Sequence, residues 1–284
     1  MAEPVGGRTQ SGSKVVAVIL GSAFDAGLSG LTLKCQEIGT PWGRQLVYHA
    51  ADIERPAYVI FRHELPHRLL PNQIPYRAQA WALAELGCGA LLATSSVGVM
   101  VADVPLYRPL VVTDILMPDN RLPDGSACTL FVEPSARQGH LVLDEGLCSR
   151  ALNRQVSTLA KRLGMPVMGE VVFAYVGGPR TKTAAENRYW AKLGAEVNAM
   201  TLAPELVLAN ELKIPSAALV VGHKYSLPDK ANPPDERTVA ASLYQARCAV
   251  ERIIIEFLRH GEAVPFANHL YRFGKYHHDS GRDP

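Results

Sequence analysis

The amino-acid sequence predicts an α/β fold: a single domain with a central, mixed, twisted sheet flanked by helices. Three observations carry that expectation. Short unbroken apolar runs, among them VVAVILG (15–21) and PLVVTDIL (109–116), have the length and composition of buried strands. They alternate with longer stretches of helical spacing, which implies strands joined by packed helices. No internal repeat and no long linker divides the 284 residues, a length that suits one large domain.

The elements follow in order. Residues 1–14, MAEPVGGRTQSGSK, are small and polar and read as a flexible tail ahead of a domain spanning 15–262. VVAVILG ends in Gly21 and Ser22, and PAYVIF (56–61) ends directly in Arg62 and His63. QAWALAELGC (79–88) has helical spacing and stops at Gly87. GALLATSS (89–96) is a third strand, read as breaking at Ser95-Ser96-Val97-Gly98. PLVVTDIL is a fourth, running into the turn-rich MPDNRLPDGS (117–126). The stretch 144–164 is an amphipathic helix with an acidic cap at its start and Gly164 at its close. VMGEVVFAYVGG (167–178) is a strand, 183–194 a helix and AEVNAM (195–200) a short strand. APELVLANELK (203–213) is a helix, PSAALVVG (215–222) the last strand and 235–261 a long terminal helix. Residues 263–284 read as a polar C-terminal tail.

Composition removes several classes of function. The formal net charge is +2, without the clustered Lys and Arg excess of a nucleic-acid binder. The five cysteines are scattered and form no C-x-x-C pair, so neither a disulfide framework nor a thiolate zinc site is expected. Reduced thiols, no apolar leader and no apolar run of roughly 18–20 residues point to a cytoplasmic enzyme without a membrane span. The sequence contains no G-x-x-x-x-G-K-[ST], no G-x-G-x-x-G and no G-x-S-x-G. His277-His278-Asp279 lies in the tail and Pro66 interrupts the His63/His67 pair, so no metal site is expected.

Chemistry concentrates where strands end. Five such places carry hydroxyls or cations: 21–22, 62–63, 94–96, 200–201 and 223–226. In α/β proteins ligands sit at strand exits. The Arg62 fork suits a phosphate-type anion, His63 can add a donor, and the hydroxyls of Ser22, Ser95, Ser96 and Thr201 can complete a cradle. Taken singly, each has a plainer explanation: a turn for the serines, a solvated loop for the Arg-His pair. Only convergence on one pocket would make them a site.

Several longer stretches, taken together, resemble one family. They are ILGSAFDAGL, FRHELPHRLLPNQIPYRAQAWALAELGC, TSSVGVM, DGS with Glu133-Pro134, GGPRTKTAAE, LGAEVNAMTLAPELVLANEL and KANPPDERTVAAS. In this order and spacing they are similar to the trimeric purine nucleoside phosphorylases and methylthioadenosine phosphorylases, from about Val15 to about Leu258. The resemblance implies a nucleoside phosphorylase-like domain in which inorganic phosphate, as co-substrate, cleaves an N-glycosidic bond to free base and ribose 1-phosphate. It implies phosphate contacts at Ser22, Arg62, His63, Ser96 (through its backbone N–H) and Thr201, with Ser95 beside them and Met200 against the ribose. It also implies no metal or other cofactor, and a homotrimer or dimer of trimers whose neighbours lend the segment 126–131.

The base pocket departs from the family pattern. Lys224 stands where the family has Asp or Asn, and Ser226 replaces a second Asp. Thr181 replaces the stacking Phe, and Lys182 replaces the Glu that grips 6-oxopurines. A lysine donates and cannot accept, so a carbonyl-bearing base, a 6-oxopurine or uracil, is favoured over adenine. Tyr225 is a candidate for the lost stacking. Asp235 matches the reader of the sugar 5′ group or, equally, caps the terminal helix. Rival expectations are a methylthioadenosine phosphorylase-like or hydrolytic enzyme and a non-catalytic nucleoside-binding homologue.

Overall fold

The computed structural model describes residues 15–135, 138–227 and 236–272. Residues 1–14, Asp235, and the tail from 273 onward therefore lie outside the described residues. The chain runs β1 (Val15–Leu20), β2 (Leu33–Thr40), β3 (Gly43–Ala50), β4 (Ala57–Phe61), α1 (Tyr76–Glu85), β5 (Cys88–Val99), β6 (Pro109–Leu116), β7 (His140–Val142). It continues α2 (Arg150–Arg162), β8 (Glu170–Tyr175), α3 (Ala184–Lys192), β9 (Val197–Ala199), α4 (Ala203–Glu211), β10 (Ser216–Tyr225), α5 (Glu236–His260), β11 (His269–Tyr271).

Nine strands form one mixed sheet in the order β10-β6-β8-β9-β5-β1-β4-β3-β2. β10 also pairs with β5, so β5, β10, β6, β8 and β9 close into a ring. The pairings β5–β10, β6–β8 and β8–β9 are parallel, whereas β6–β10 and β5–β9 are antiparallel. Outside the ring, β1 lies parallel to both β5 and β4.

Period-two alternation sorts the strand residues between two cores. On β1, Val16, Val18 and Leu20 join Leu152 and Val156 of α2 and Ile253 and Phe257 of α5. Ala17 and Ile19 face the other way, with Leu83 of α1 and Leu206 and Leu208 of α4. α4 is buried along its whole length, including Glu205, Asn210 and Glu211. Its carboxylates therefore need partners inside the protein.

The helix starts follow local rules. Thr183 and Glu186 form a reciprocal capping box at the start of α3. α2 is capped by Ser149, whose side chain accepts from Leu152 N, rather than by the acidic residues upstream. Glu145 nevertheless accepts from Arg150 N at 3.0 Å.

Four features depart from the sequence-based expectation. β2 and β3 form a hairpin outside the predicted elements, because β2 is polar and largely exposed and β3 carries only the short apolar run Leu46-Val47-Tyr48. β5 does not break at Ser95-Ser96 but continues to Val99. β10 likewise continues past Gly222 to Tyr225, with its register shifting between Gly222 and Lys224. Parallel pairing between these two strands in the ring carries both as far as those residues. Lastly, the residues just after α5 are docked rather than free: β11 pairs with β7. Asn268 is buried and donates to Gly146 O (2.7 Å) and Asn210 Oδ1 (2.8 Å), while accepting from Glu145 N (3.0 Å).

Asn268→Ala removes three hydrogen bonds at a buried site and is expected to destabilise the protein by about 2 kcal/mol. The urea midpoint of the variant against the unsubstituted chain measures it.

Candidate active site

The site begins with a glycine that touches a guanidinium. Gly21 follows β1, and a Cβ there would lie 2.9 Å from Arg62 Nη1 and 3.1 Å from Thr94 O. Any larger residue would push the backbone off that cation. The Gly21 N–H donates to Thr94 Oγ1 (3.1 Å), and this hydroxyl donates to Ile19 O (3.3 Å). Arg62 follows β4, and its own N–H donates to Leu20 O (3.0 Å), so the ends of β1 and β4 are locked together.

Only 1 % of Arg62 is exposed. Its Nε and Nη2 grip Glu205 bidentately at 2.5 and 2.6 Å, and Nη1 donates to Thr94 O at 2.8 Å. A guanidinium has five N–H groups; these bonds occupy three, and one remains on each Nη. Burial opposes the charge on Arg62, but the Glu205 carboxylate more than offsets it and holds the group above its ordinary pKa. Burial also pushes the Glu205 carboxyl up, while Arg62 pulls it back. Gln79 of α1 closes the back of the arrangement by donating to Arg62 O (3.2 Å).

His63 differs from the expected donor. Its Nδ1 lies 2.7 Å from Leu69 O. A carbonyl only accepts, so Nδ1 carries the proton. Burial, with Arg62 beside it, lowers the ring's pKa to about 4. At neutral pH the imidazole is therefore uncharged and Nε2 presents a lone pair. His67 stacks on it at 4.4 Å with the ring planes 27° apart, an arrangement that does not converge on a metal ion.

Ser95 and Ser96 line a cavity with Gly21, Thr94 and His223, and Leu243, Ala246 and Val250 of α5 form an apolar wall opposite. Arg247 of α5 also reaches this cavity, lying 5.9 Å over the Phe24 ring. Ser22 opens the short 3-10 turn Ser22–Phe24 and is exposed. Thr201 is buried, and Ala203 N donates to its carbonyl at 3.1 Å, in the turn that presents Glu205. Leu202 in that turn has φ 80°, a left-handed conformation costly for a side-chain-bearing residue. Met200 packs its thioether over Gly178.

The residues read as base contacts form a second group. Thr181 and Lys224 are exposed, and Lys182 and Ser226 are half-buried. Burial, and then the charge of Lys224, brings the Lys182 ammonium down to about 8. Burial and the same two lysines also lower His223, whose buried Nδ1 has no hydrogen-bond partner.

The structure thus joins Gly21, Arg62, Thr94 and Glu205 by direct hydrogen bonds, with Ser95 and Ser96 on the adjoining cavity. The sequence reading placed Thr94 and His223 within two of the strand ends but gave them no separate role, and it gave none to Glu205. Glu205 follows Pro204 in the stretch LGAEVNAMTLAPELVLANEL, and a carboxylate in the first turn of a helix rich in apolar residues was the available signal.

Residues 15–259 match the Phosphorylase superfamily. The chain is 35 % identical to the probable S-methyl-5′-thioinosine phosphorylase of Methanopyrus kandleri, over 74 % of this chain and 78 % of that protein. It is 30 % identical to the S-methyl-5′-thioadenosine phosphorylase of Hyperthermus butylicus, over 75 % and 76 %. In fold it resembles a mutant adenosine/methylthioadenosine phosphorylase of Schistosoma mansoni solved with methylthioadenosine. That likeness has a TM-score of 0.75 at 22 % identity and covers 87 % of this chain and 91 % of that one.

Two outcomes follow for this site. Glu205→Gln leaves the buried Arg62 charge without its counter-ion and is expected to cost about 3 kcal/mol or more in urea unfolding. His63 takes a proton near 6.5 when unfolded and near 4 when folded, so between those values the unfolded state binds more protons. Stability should fall as pH drops through that window, and His63→Gln should lessen the fall, measured as urea midpoint against pH.

Proposed function

The chain belongs to the phosphorylase superfamily and is a nucleoside phosphorylase, a pentosyltransferase of the purine nucleoside and methylthioadenosine type; on that premise we propose how its residues divide the work. Phosphate lies against the two unused N–H groups of Arg62, and a phosphate oxygen attacks the anomeric carbon as the C–N bond to the base breaks. Ser22, the backbone N–H of Ser96, and Thr201 complete the cradle, with Ser95 beside it. The observation that carries this reading is the Arg62 guanidinium fixed by Glu205 and Thr94 O beside a serine-lined cavity. A fork held rigid before the ligand arrives loses little on binding and stabilises charge as it develops.

His63, uncharged with a lone pair on Nε2, suits a hydroxyl that donates, either the P–OH of hydrogen phosphate or a sugar hydroxyl. Met200 packs against the ribose. Inorganic phosphate is the co-substrate, and the chemistry assigned to these residues calls on no metal or other cofactor.

Base recognition rests on Thr181, Lys182, Lys224 and Ser226. Lys224 donates to a carbonyl of the base and to the negative charge that builds on the departing ring. An oxo-base, 6-oxopurine or uracil-like, is therefore favoured over adenine. The Methanopyrus relative, named for a thioinosine, supports this choice, whereas the Hyperthermus relative is named for a thioadenosine. The apolar wall of Leu243, Ala246 and Val250 supports a second reading, in which the sugar bears a 5′-alkylthio group. We also propose a homotrimer in which the segment 126–131 serves the neighbour's site. Arg77 braces that segment through Ser126, Ala127 and Thr129, and Glu211 through Thr129 and Leu130.

Release of free base from inosine, guanosine, uridine, 5′-methylthioinosine, adenosine and methylthioadenosine, each with and without phosphate, tests the reading. Phosphate-dependent cleavage of an oxo-nucleoside is expected. Cleavage without phosphate would make the protein a hydrolase, and binding without turnover would make it a non-catalytic homologue. Lys224→Asn should move the oxo-to-amino preference by about tenfold toward adenosine, the scale of one charge-assisted hydrogen bond.

A further inference from the structure

Four segments meet at Gly98, near the end of β5. Lys224 of β10 is its strand partner on one side, and Asn198 of β9 pairs with it on the other. Ser226 N donates to the neighbouring Val99 O at 2.7 Å. A Cβ on Gly98 would lie 2.5 Å from Ser226 Oγ and 3.2 Å from Asn198 Oδ1, so only glycine fits between the two. Asn198 donates to Asn187 Oδ1 at 3.2 Å, which fastens α3 to this corner. The segment leading into α3 carries Lys182.

The corner is cationic and lacks a counter-ion among the described residues. Lys182 and Lys224 each lower the proton affinity of His223, and Lys224 lowers that of Lys182. Glu186 is the acid that acts on Lys182, but it is engaged elsewhere. It accepts from Arg180 at 2.7 and 2.9 Å and from Thr183 N at 2.7 Å. His223 adds a buried Nδ1 without a partner, and the same side chain lines the cavity beside Ser95 and Ser96. Two lysines that repel one another raise the free energy of the empty protein, and a bound anion removes that cost. A neutral oxo-base answers one lysine through one carbonyl and leaves the other uncompensated.

We propose that this corner selects a base that is itself an anion: a dioxo ring that has lost an acidic N–H, or a ring bearing a carboxylate. The inference deepens the phosphorylase reading where turnover is concerned, but the binding it asserts can be measured without catalysis. Lys182 faces Lys224 and His223 from β10, with Arg180 and Glu186 on its own segment. As pH rises through about 8 Lys182 loses its charge, so the preference for an anion should weaken there.

The test uses calorimetric titration of the full chain with hypoxanthine (neutral), xanthine (ring anion) and orotate (carboxylate), with and without saturating phosphate. Phosphorolysis of inosine, xanthosine and orotidine is measured in parallel. An anionic base should bind about tenfold or more tightly than hypoxanthine, the scale of one added charge-assisted hydrogen bond. Whether xanthine or orotate holds the advantage identifies the kind of anion. Lys182→Gln and Lys224→Gln should each collapse the ratio of anionic to neutral binding. A ratio near one in the unsubstituted protein overturns the proposal, and so does a ratio that survives both substitutions. Loss of the anion's advantage only when phosphate is present would show a simple oxyanion site and also overturn it. If no nucleoside is cleaved yet anions bind in a lysine-dependent way, the phosphorylase reading fails and this one stands.

Discussion

The Arg62–Glu205 contact is the constraint around which the site is arranged. A guanidinium that is 1 % exposed is unfavourable unless a carboxylate meets it, and that carboxylate must come from a buried element. α4 is such an element, enclosed on all sides, and it offers Glu205 in its first turn. The pair then dictates its surroundings. Thr94 O takes a third N–H, Gly21 approaches without a side chain, and the turn through Thr201 and Leu202 bends into a left-handed conformation. Orientation is gained at the expense of charge. Arg62 is a fixed fork of donors already balanced by its own counter-ion, so what it offers a ligand is geometry more than long-range attraction.

The other end of the site has the opposite character. Lys182, Lys224 and His223 share a corner where no described carboxylate is free to balance them. One half of the site is therefore electrostatically closed before any ligand arrives, and the other half is open. Under the proposed division of the site, fixed donors would serve the nucleophile and uncompensated positive charge the departing base. Preorganisation acts on the first and field on the second.

The closed ring of strands sets these two ends at a fixed distance. Because β10 pairs with β5 as well as β6, both strands run on past the point at which their apolar runs stop. Ser95, Ser96, His223 and Lys224 are consequently held on strands. A side chain on a paired strand is positioned by the strand's backbone hydrogen bonds, and groups so mounted wander less than groups on loops.

Much of the fold was legible in the sequence because its signals are local. Apolar runs located β1, β4, β6 and β8, and helical spacing located α1 to α5. The cation and hydroxyl candidates at Arg62, Ser95, Ser96 and Lys224 were legible as well, since chemical character belongs to the residue. The β2–β3 hairpin escaped because β2 is polar and largely exposed and the apolar run of β3 is only three residues long. The pairing of Arg62 with Glu205 escaped because 143 residues separate them and nothing local records a contact at that range. The charge state of His63 escaped although Arg62 and Leu69 are close to it in sequence: the burial that, with Arg62, keeps the ring neutral and the approach of the Leu69 carbonyl that accepts from Nδ1 both depend on how the chain folds. The sequence by itself determined which elements form and which groups are available. The tertiary structure decided which groups are neutralised, which are left unpaired and which way a proton faces, because burial and long-range pairing set those energies.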